Sequence, residues 1–559
     1  MRIILGAKIG YWIQALDGQH NYNELSLRER KSGLKRFVHA LMALVLCLVI
    51  IVSPTGSAKA AGFSDVSSFK KEIDYLTQLG IINGYNDGTF RPSVKLTRAQ
   101  AVVMIMRAIG MPETDRFIKD PGFYDVSPSK FGYREIAVAT SAMIISGKSS
   151  TQFDPNGNIT RAEMAKVISK AFKLKGDYAS GFTDVSAGYW ASSFISSLAA
   201  NNITVGYSDG TFQPKQPIDR AQFSAFLARI MKPTFRPSTG TPAHTVLDTT
   251  VESSIIDLVK DPNKPIVYYL DSNSKSLVRL DLATRDKKMI GLRHPAEKLV
   301  EKNGKLFVTQ LIQDRSPYNF MKTQKGIINV YSSGDLALIK EVNVNIDPYD
   351  IAVDDAETLI ISSGSDQGYQ AEIQTYNWKT SEKLSFVNVP TQQLIELSPA
   401  QNRLYSVETS HYTGRIVTFS LADGKLESAP TDPRYFDTMK LRGYTQMTPG
   451  GKVMYNGDGT SYALSTVPSE DLAPLGKLAT SFTTMTFNEA AKKFYSADRS
   501  ESISVYDNDT LDPVSSLRAY GKVDRLVYVK ETGELYAFTK FKYEGAKEVT
   551  VLLECFKIR

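Results

Sequence analysis

The chain has 559 residues, of which 42% are hydrophobic and 22% are charged, and this composition excludes an intrinsically disordered protein. The length exceeds what one compact core uses, so we expect two or more domains. Residues 1–60 hold eight Lys and Arg against three Asp and Glu, and they account for most of the formal net charge of +7. The rest of the chain, with 58 basic and 56 acidic residues, is too balanced for a nucleic-acid-binding protein.

An apolar run near the start of the chain is typical of a secretory signal peptide. Lys35 and Arg36 precede this run, and the sequence SAKA at 57–60 supplies a small-x-small cleavage site. We therefore expect residues 1–60 to be an N-terminal extension and signal peptide, cut after Ala60. The protein would then be exported, with no membrane segment after cleavage. A retained membrane anchor is the alternative, although the run is short for a membrane span.

Few residues remain that could form a disulfide bond or a metal site. Cleavage removes Cys47 and leaves Cys555 without an intrachain partner, which suits an exported bacterial protein better than a small disulfide-stabilised one. The remaining histidines, His244, His294 and His411, are far apart and show no metal-ligand spacing. We expect no metal site and no cofactor.

Three repeated units follow the signal peptide. Each has an opening turn, a helix, a Gly-containing loop and a second helix that starts at an arginine. The opening turns are FSDV, FYDV and FTDV at 63, 123 and 182, and the loops are GYNDGTFRP, GKSSTQFDP and GYSDGTFQP at 84, 147 and 206. The second helices start at Arg98, Arg161 and Arg220. Thr97 with Gln100 predicts a capping box at the first of these starts. Since such a helix pair cannot bury its own apolar face, we expect the units to pack together. The predicted bounds are 61–115, 120–176 and 179–232, followed by a Pro-rich linker at 233–242.

From residue 243 the pattern changes to short strands. Seven sets of apolar or alternating runs recur about every forty to fifty residues, a period that predicts a seven-bladed β-propeller over 243–559. An extra strand, AHTVLDTT from Ala243, precedes the first set, and the last set lacks a fourth strand. We expect this extra strand to pair as the outer strand of the last blade and to close the ring.

Each of the three repeated units resembles the S-layer homology domain, a family that usually occurs in threes in exported bacterial proteins. The resemblance covers residues 61–232 and rests on the motif FxDV, GYxDGTFxP and TRA followed by Glu or Gln. It implies an all-α, trimer-like module with pseudo-threefold symmetry and grooves between the units. It also implies non-covalent attachment to secondary cell-wall polysaccharide, typically with anionic pyruvyl-ketal sugars, and therefore a place in the cell wall or S-layer surface of a bacterium.

The arginine at each helix start is the main candidate for binding this glycan. A helix N-terminus offers unpaired N–H groups, and a guanidinium group suits a carboxylate. Arg98, Arg161 and Arg220 are therefore the candidate ligand cations. Alternatively, each arginine could bridge two repeats by bonding an acidic residue such as Asp65 or its equivalents Asp125 and Asp184.

Other residues of the units are weaker candidates for glycan binding. The pairs Asp87–Gly88 and Asp209–Gly210 could contact a sugar, although such pairs are also common in turns. Trp190 could stack on a sugar or simply pack. Unit 2 has Ser150 and Thr151 in place of Asp-Gly, and unit 3 has Asp219 in place of the usual threonine. These departures predict that one or two of the three grooves are degenerate.

The strand pattern of the second part resembles seven-bladed propellers of the YVTN or lactonase-like kind. Fold alone does not give function, and we find no nucleophile motif, phosphate loop or metal cluster, so we name no catalytic residue. Turns such as NGDGT from Asn456 could coordinate calcium, but ordinary turns have the same composition. Two functions stay open. The propeller either displays a binding face for an unknown ligand, which we favour, or is a surface-tethered enzyme that resembles a lactonase or a polysaccharide lyase.

Overall fold

Residues 63–237 hold a helical part and residues 244–558 hold a β-propeller. The computed structural model describes residues 63–111, 118–178, 181–237, 244–251, 254–312, 325–364, 371–409, 415–428, 434–435, 444–467, 469–547 and 549–558. The expected signal peptide and its cleavage site lie outside the described residues.

Two helices form in each repeat. They are α1 (Lys70–Gln78), α2 (Arg98–Ala108), α3 (Tyr133–Ser141), α4 (Arg161–Ala171), α5 (Ser192–Ala200) and α6 (Arg220–Met231). The predicted capping box of α2 is confirmed, since the Thr97 hydroxyl accepts a hydrogen bond from Gln100 N and the Gln100 side chain accepts one from Thr97 N. None of the helices in the described part of the chain is long and apolar enough to cross a membrane.

Backbone hydrogen bonds join the three units in a closed ring. Leu96 N donates to Ile218 O over 3.0 Å, Ile159 N donates to Leu96 O over 3.0 Å, and Ile218 N donates to Ile159 O over 3.1 Å. The three side chains are fully buried, and a single apolar cluster extends through all three units. The expectation that the units pack together is therefore confirmed.

The opening turn of each unit holds the Gly-containing loop of the same unit. The Asp65 carboxylate accepts hydrogen bonds from Phe90 N over 2.8 Å and from Arg91 N over 2.7 Å, and Asp125 and Asp184 do the same in units 2 and 3. These aspartates bind their own loops by two backbone bonds each. They are therefore not the acids through which an arginine bridges two repeats.

The described residues of the C-terminal part form seven antiparallel blades, six of four strands and one, blade 4, with a fifth strand. Blades 1 to 4 contain β2 (Ile255–Lys260), β3 (Ile266–Asp271), β4 (Ser276–Asp281) and β5 (Lys287–Gly291); β6 (Ala296–Lys302), β7 (Lys305–Leu311), β8 (Gly326–Ser332) and β9 (Leu338–Val344); β10 (Pro348–Val353), β11 (Thr358–Ser363), β12 (Ala371–Asn377) and β13 (Glu382–Val389); and β14 (Gln393–Leu397), β15 (Arg403–Glu408), β16 (Arg415–Ala422) and β17 (Lys425–Ser428), with β18 (Arg434–Tyr435) paired to β16. Blades 5 to 7 contain β19 (Thr445–Met447), β20 (Val453–Asn456), β21 (Thr460–Ala463) and β22 (Pro474–Lys477); β23 (Thr484–Asn488), β24 (Lys493–Ala497), β25 (Ser502–Asp507) and β26 (Pro513–Arg518); and β27 (Lys522–Val529), β28 (Glu534–Phe541) and β29 (Thr550–Lys557). The predicted seven-bladed propeller is confirmed.

The first strand after the helical part closes the ring of blades. This strand, β1 (His244–Val251), pairs antiparallel with β29, with His244 opposite Phe556. The sheet order β1-β29-β28-β27 makes β1 the outer strand of blade 7. The predicted closure is confirmed, and it places the start and the end of the propeller in one sheet.

The chain between the two parts begins as an ordered segment. Pro233–Phe235 form one turn of 3₁₀ helix directly after α6. Arg236 Nε donates to Arg229 O of α6 over 2.9 Å. This part of the expected linker is therefore held against the helical domain, and residues 238–243 lie outside the described residues.

Candidate functional sites at the repeat junctions and in the propeller channel

Each candidate arginine lies where its own unit meets the loop of another unit. We name the three places by the units they join: the 1–2 junction (Arg98 and loop 146–157), the 2–3 junction (Arg161 and loop 205–216) and the 3–1 junction (Arg220 and loop 83–94). The pairing runs from unit 1 to 2, from 2 to 3 and from 3 back to 1. Every junction therefore combines residues from two units.

Carbonyl groups of the facing loop bind all three guanidinium groups. In each case Nε donates to the carbonyl of the loop phenylalanine: Arg98 to Phe153 over 3.0 Å, Arg161 to Phe212 over 2.7 Å and Arg220 to Phe90 over 3.0 Å. Two of the arginines also donate through Nη2: Arg98 to Ser146 O over 2.8 Å and Arg220 to Asn83 O over 3.0 Å. The arginines do bridge neighbouring repeats, and all three do so through carbonyl oxygens, while Arg98 also pairs with a carboxylate of unit 2.

The three guanidinium groups are almost fully buried. Arg98, Arg161 and Arg220 are 3%, 3% and 8% exposed, and each lies over the ring of its loop phenylalanine with a centroid distance of 4.5–4.7 Å. Burial lowers the pKa of each guanidinium from its usual value. Arginine remains charged at neutral pH even so, because its usual pKa is far above 7. Three buried positive charges thus lie at the contacts between units.

The helix starts do not offer the unpaired N–H groups that the sequence predicted. At α2, Arg98 N donates to Gly157 O over 2.9 Å and Ala99 N donates to Pro155 O over 3.0 Å, and α4 and α6 show the same pattern. Backbone groups of the facing loop have taken these donors. The prediction of free donors is wrong because it considered one unit at a time, whereas the acceptors come from the next unit.

The junctions differ in the charge that faces the arginine. At the 1–2 junction, Glu163 Oε1 lies 3.6 Å from Arg98 Nη1 and 2.5 Å from Lys148 Nζ. At the 2–3 and 3–1 junctions the equivalent helix position holds Gln222 and Gln100. Among the described residues, no carboxylate lies within 4.0 Å of the Arg161 or Arg220 guanidinium. In the described part of the chain, these two junctions each hold a buried cation with no carboxylate within 4.0 Å.

The Asp-Gly pairs build the turns of the loops that face the arginines. The Asp87 carboxylate accepts from Thr89 N over 3.0 Å and from Thr89 Oγ1 over 2.6 Å, and Asp209 does the same with Thr211. Gly88 and Gly210 have φ of +82° and +79°, a backbone region that favours glycine. Asp87 and Gly88 therefore share the 3–1 junction with Arg220. Asp209 and Gly210 share the 2–3 junction with Arg161.

The two sequence departures are accommodated locally. In the unit-2 loop, Ser149 Oγ accepts from Thr151 N over 3.2 Å and from Gln152 N over 3.1 Å, so a serine makes the turn bonds that Asp makes elsewhere. In unit 3, the Asp219 carboxylate caps α6 by accepting from Gln222 N over 2.9 Å. Whether these changes make a groove degenerate stays a prediction.

Trp190 presents its ring to solvent. It is 53% exposed, and Lys166 of α4 places its Nζ 6.0 Å from the ring centroid. The ring centroid of Tyr189 lies 5.7 Å from that of Trp190. An exposed indole beside a lysine has a free surface for stacking on a sugar, and its role stays a prediction.

A comparison with protein-family models identifies the repeats. The family described as "S-layer homology domain" matches residues 62–102, 122–165 and 181–224. The chain carries three S-layer homology domains. Each match covers the first helix of one unit and ends within the second helix, which starts at the junction arginine.

Curated relatives match about a third of this chain. The surface-layer 125 kDa protein of Lysinibacillus sphaericus is 29% identical over 35% of this chain and 17% of its own length. An endoglucanase of Bacillus sp. (strain KSM-635) is 31% identical over 37% of this chain and 23% of its own length. The chain thus spans less than a quarter of the length of either relative. Among solved structures, the hydrazine synthase of Kuenenia stuttgartiensis aligns at 13% identity and a TM-score of 0.42 over 55% of this chain and 97% of that chain.

The propeller has a charged cluster that the sequence analysis missed. First strands of successive blades contact one another, as β2 does with β6, β6 with β10, and β10 with β14. These four strands carry Asp257, Lys298, Asp350 and Glu396 in turn. Lys298 Nζ lies 3.7 Å from Asp350 Oδ1. We name these four residues the channel cluster, since the first strands surround the propeller axis.

Burial and neighbouring charges shift the pKa values of residues in the channel cluster. Burial, together with the negative charge of Asp350, raises the pKa of Glu396 to about 7. The charge of Asp350 raises the pKa of Lys298. A carboxyl group with a pKa near neutral pH can take up and release protons, which is a requirement of acid–base chemistry. Within the described ranges, no three His, Cys, Asp or Glu side chains are grouped so that they could hold a metal ion.

A sequence signal for the channel cluster did exist. Each of the four residues interrupts an otherwise apolar or alternating run at the first strand of a blade, in IIDLVK, AEKLVEK, PYDIAV and QLIEL. The runs belong to blades whose axis-facing positions meet only in the closed ring. Sequence spacing alone does not show which face of a strand points to the axis.

Proposed function

We propose that this chain is an exported bacterial surface protein. Its three S-layer homology domains attach it, without a covalent bond, to an acidic secondary cell-wall polysaccharide. The domain matches and the surface-layer relative support the location. The ring of hydrogen bonds through Leu96, Ile159 and Ile218 supports a pseudo-threefold, trimer-like module with a groove at each junction. The propeller then faces outward and displays a binding surface for another ligand.

The observation that carries this proposal is the charge of Arg161 and Arg220, which bind carbonyl oxygens but have no carboxylate within 4.0 Å among the described residues. A buried charge without a partner costs free energy, and a carboxylate is the partner that a guanidinium accommodates best. At the 1–2 junction Glu163 shows that a carboxylate can approach the arginine to 3.6 Å. A carboxylate of a glycan, such as a pyruvyl ketal, would occupy the equivalent position beside Arg161 and Arg220.

The Asp-Gly turns and Trp190 complete the proposed groove. Asp87–Gly88 and Asp209–Gly210 lie on the loops that receive the arginines, so a sugar held there would contact their backbone. Trp190 would stack on a neighbouring sugar ring. The arginine supplies the charge, and these residues supply the shape.

Two arginines on α6 allow an effect on glycan binding to be distinguished from an effect on folding. Arg220 and Arg229 lie on the same helix, and both donate to backbone carbonyls: Arg220 to Phe90 O and Arg229 to Ile203 O over 2.9 Å. Only Arg220 is at a junction. We expect both Arg220→Gln and Arg229→Gln to lower the melting temperature, and Arg220→Gln to lower it more, because Arg220 makes two charge-assisted hydrogen bonds to carbonyl oxygens and Arg229 makes one.

The two variants should differ on the cell wall. In sedimentation with purified walls that carry their polysaccharide, Arg229→Gln is expected to be retained like the unchanged chain. Arg220→Gln is expected to be retained at least fivefold less, the effect of losing about 1 kcal/mol of charged contact. Equal retention of both variants, with both shown to be folded by circular dichroism, would contradict a role of the junction arginines in glycan binding.

The channel cluster favours a second candidate function, a surface-tethered enzyme that acts on a lactone or a polysaccharide. Glu396 of blade 4 and Lys298 of blade 2 lie on either side of Asp350 of blade 3, and the raised pKa of Glu396 suits a general acid or base. The resemblance to lactonase-like propellers stays a prediction. The test is turnover of a panel of lactones and wall polysaccharides by the full chain. An enzyme is expected to lose about a hundredfold in rate in Glu396→Gln and nothing in Glu341→Gln, whose side chain is exposed on β9.

A further inference from the structure

A cavity of about 350 Å³ lies where the ends of units 2 and 3 meet blades 6 and 7 of the propeller. One wall is formed by the helical part, with the residues after α4, the end of α5 and the segment after α6. The other wall is formed by blades 6 and 7. The volume is in the range of sites for small molecules. The cavity shares no residue with the repeat junctions or with the channel cluster.

The lining of this cavity is rich in positive charge. Five cations line it: Lys173, Lys175, Arg236, Arg518 and Lys542. Two carboxylates also line it, and both are already engaged: Glu544 lies 2.9 Å from Lys173, and Glu501 lies 3.6 Å from Arg518. In the described part of the chain, Lys175, Arg236 and Lys542 have no carboxylate within 4.0 Å.

Arg236 is the fixed cation of the cavity. Its guanidinium lies over the ring of Tyr520 at 4.4 Å and near that of Phe541 at 5.7 Å, and its Nε donates to Arg229 O. Burial lowers its pKa to about 10, which leaves it charged at neutral pH. Its position is set by packing and by one carbonyl, and its charge faces a cavity with an excess of positive charge.

We propose that this cavity binds a small ligand that carries an oxyanion, either the carboxylate of a sugar acid or the phosphate of a sugar phosphate. Arg236 holds the oxyanion at the base of the cavity, and Lys175 and Lys542 bind it from the exposed rim. Oxyanions are the groups that guanidinium and ammonium donors accommodate. The chemistry is the same for both sources, so the ligand panel has to distinguish them.

Binding at this place would also strengthen the contact between the anchor and the propeller. Its walls come from both parts, which already share a hydrogen bond of 2.6 Å from Asn202 Nδ2 to the Tyr520 hydroxyl. A ligand that contacts both walls binds only the docked arrangement and stabilises it by mass action.

The test is calorimetric titration of the full chain with glucuronate, inorganic phosphate and glucose at equal ionic strength. A double variant, Lys175→Gln with Lys542→Gln, removes the two rim charges without removing a described hydrogen bond, and Lys287→Gln removes an exposed charge on β5 as the matched control. We expect saturable binding of glucuronate, of phosphate or of both, and none of glucose. The double variant should bind about five- to tenfold more weakly, and Lys287→Gln should bind like the unchanged chain.

The outcomes are separable from those for cell-wall attachment. The double variant is expected to keep its full retention on walls, because its changes are far from the repeat junctions. Absence of saturable anion binding would overturn the proposal. Equal binding by the double variant and the unchanged chain would overturn it as well, since any anion bound would then lie elsewhere.

Discussion

The three junction arginines occupy the first helical position, where the positive end of the helix macrodipole disfavours a cation. Carbonyl oxygens of the facing loop and the ring of its phenylalanine compensate for this position. The sequence predicts which arginines matter, because their spacing and context repeat. It cannot predict their acceptors, which belong to a different unit and become neighbours only after the three units close into a ring.

At the residue scale, the charge of the third helical position should tune glycan binding. Gln222→Glu would place a carboxylate near Arg161, as Glu163 is placed near Arg98, while a Glu at this position can still form a capping box. We expect retention on polysaccharide-bearing walls to fall about two- to fivefold, the effect of a competing ion pair that is partly exposed. Gln222→Met is the control for size. Full retention of the Gln222→Glu variant would contradict binding of a glycan carboxylate by Arg161.

The pH dependence of stability should report the buried Glu396. Its pKa is raised from 4.5 to about 7, so the carboxyl group stays protonated in the folded protein at pH values where the unfolded chain is already ionised. Its contribution to stability therefore falls as pH rises from about 4.5 to about 7, by on the order of 3 kcal/mol, and is constant above that range. We expect Glu396→Gln to reduce the fall in melting temperature between pH 5 and pH 8. The same fall in Glu396→Gln and in Glu341→Gln would show that other groups cause it.

At the scale of elements, β1 is the part of the propeller that sequence reasoning predicted best. An extra strand before the first set and a missing strand in the last set together predict that the extra strand completes the last blade. The structure pairs β1 with β29. The orientation of the first strands was not predictable in this way. Whether Asp257 or its neighbour Leu258 points to the axis depends on the pleat and the register of a closed ring.

His244 on β1 should be important for closure of the propeller. Its ring stacks between Tyr520 and Phe556 at 4.5 and 4.2 Å, and its Nε2 lies 2.6 Å from the fully buried Glu554 carboxylate. We expect His244→Ala to lower the free energy of unfolding by about 1–3 kcal/mol, because a buried carboxylate loses a partner. His294→Ala, in the turn before β6, is the control and should change it by less than about 0.5 kcal/mol. Equal effects in denaturant unfolding would mean that β1 contributes little.

At the scale of the whole molecule, the helical part and the propeller are packed against each other. Lys173 pairs with Glu544 over 2.9 Å, and Gly545 lies against the backbone of Ile109. The composition of residues 233–242 predicted a linker, and it could not show that Pro233–Phe235 and Arg236 dock on α6 and blade 7. Those contacts depend on surfaces that form only after both domains have folded.

A glycine at this contact allows the packing to be tested. A Cβ on Gly545 would lie 2.2 Å from Ile109 O, whereas a Cβ on Gly533 would meet no atom within 4 Å, and both residues have positive φ, +90° and +69°. Gly545→Ala and Gly533→Ala therefore both carry backbone strain, and only Gly545→Ala also forces the two parts to separate. We expect two thermal transitions and a larger radius of gyration for Gly545→Ala, and one transition for Gly533→Ala. A single transition and an unchanged radius in both variants would argue against this packing in solution.

Attachment through an acidic glycan is tested most directly by sedimentation of the unchanged full chain with bacterial walls before and after removal of the secondary polysaccharide. We expect the chain to pellet with walls that keep the polysaccharide, to remain in solution with walls that have lost it, and to be released from the former by an added pyruvylated sugar. Equal retention on both kinds of wall, or retention that the acidic sugar leaves unchanged, would contradict anchoring by the junction arginines.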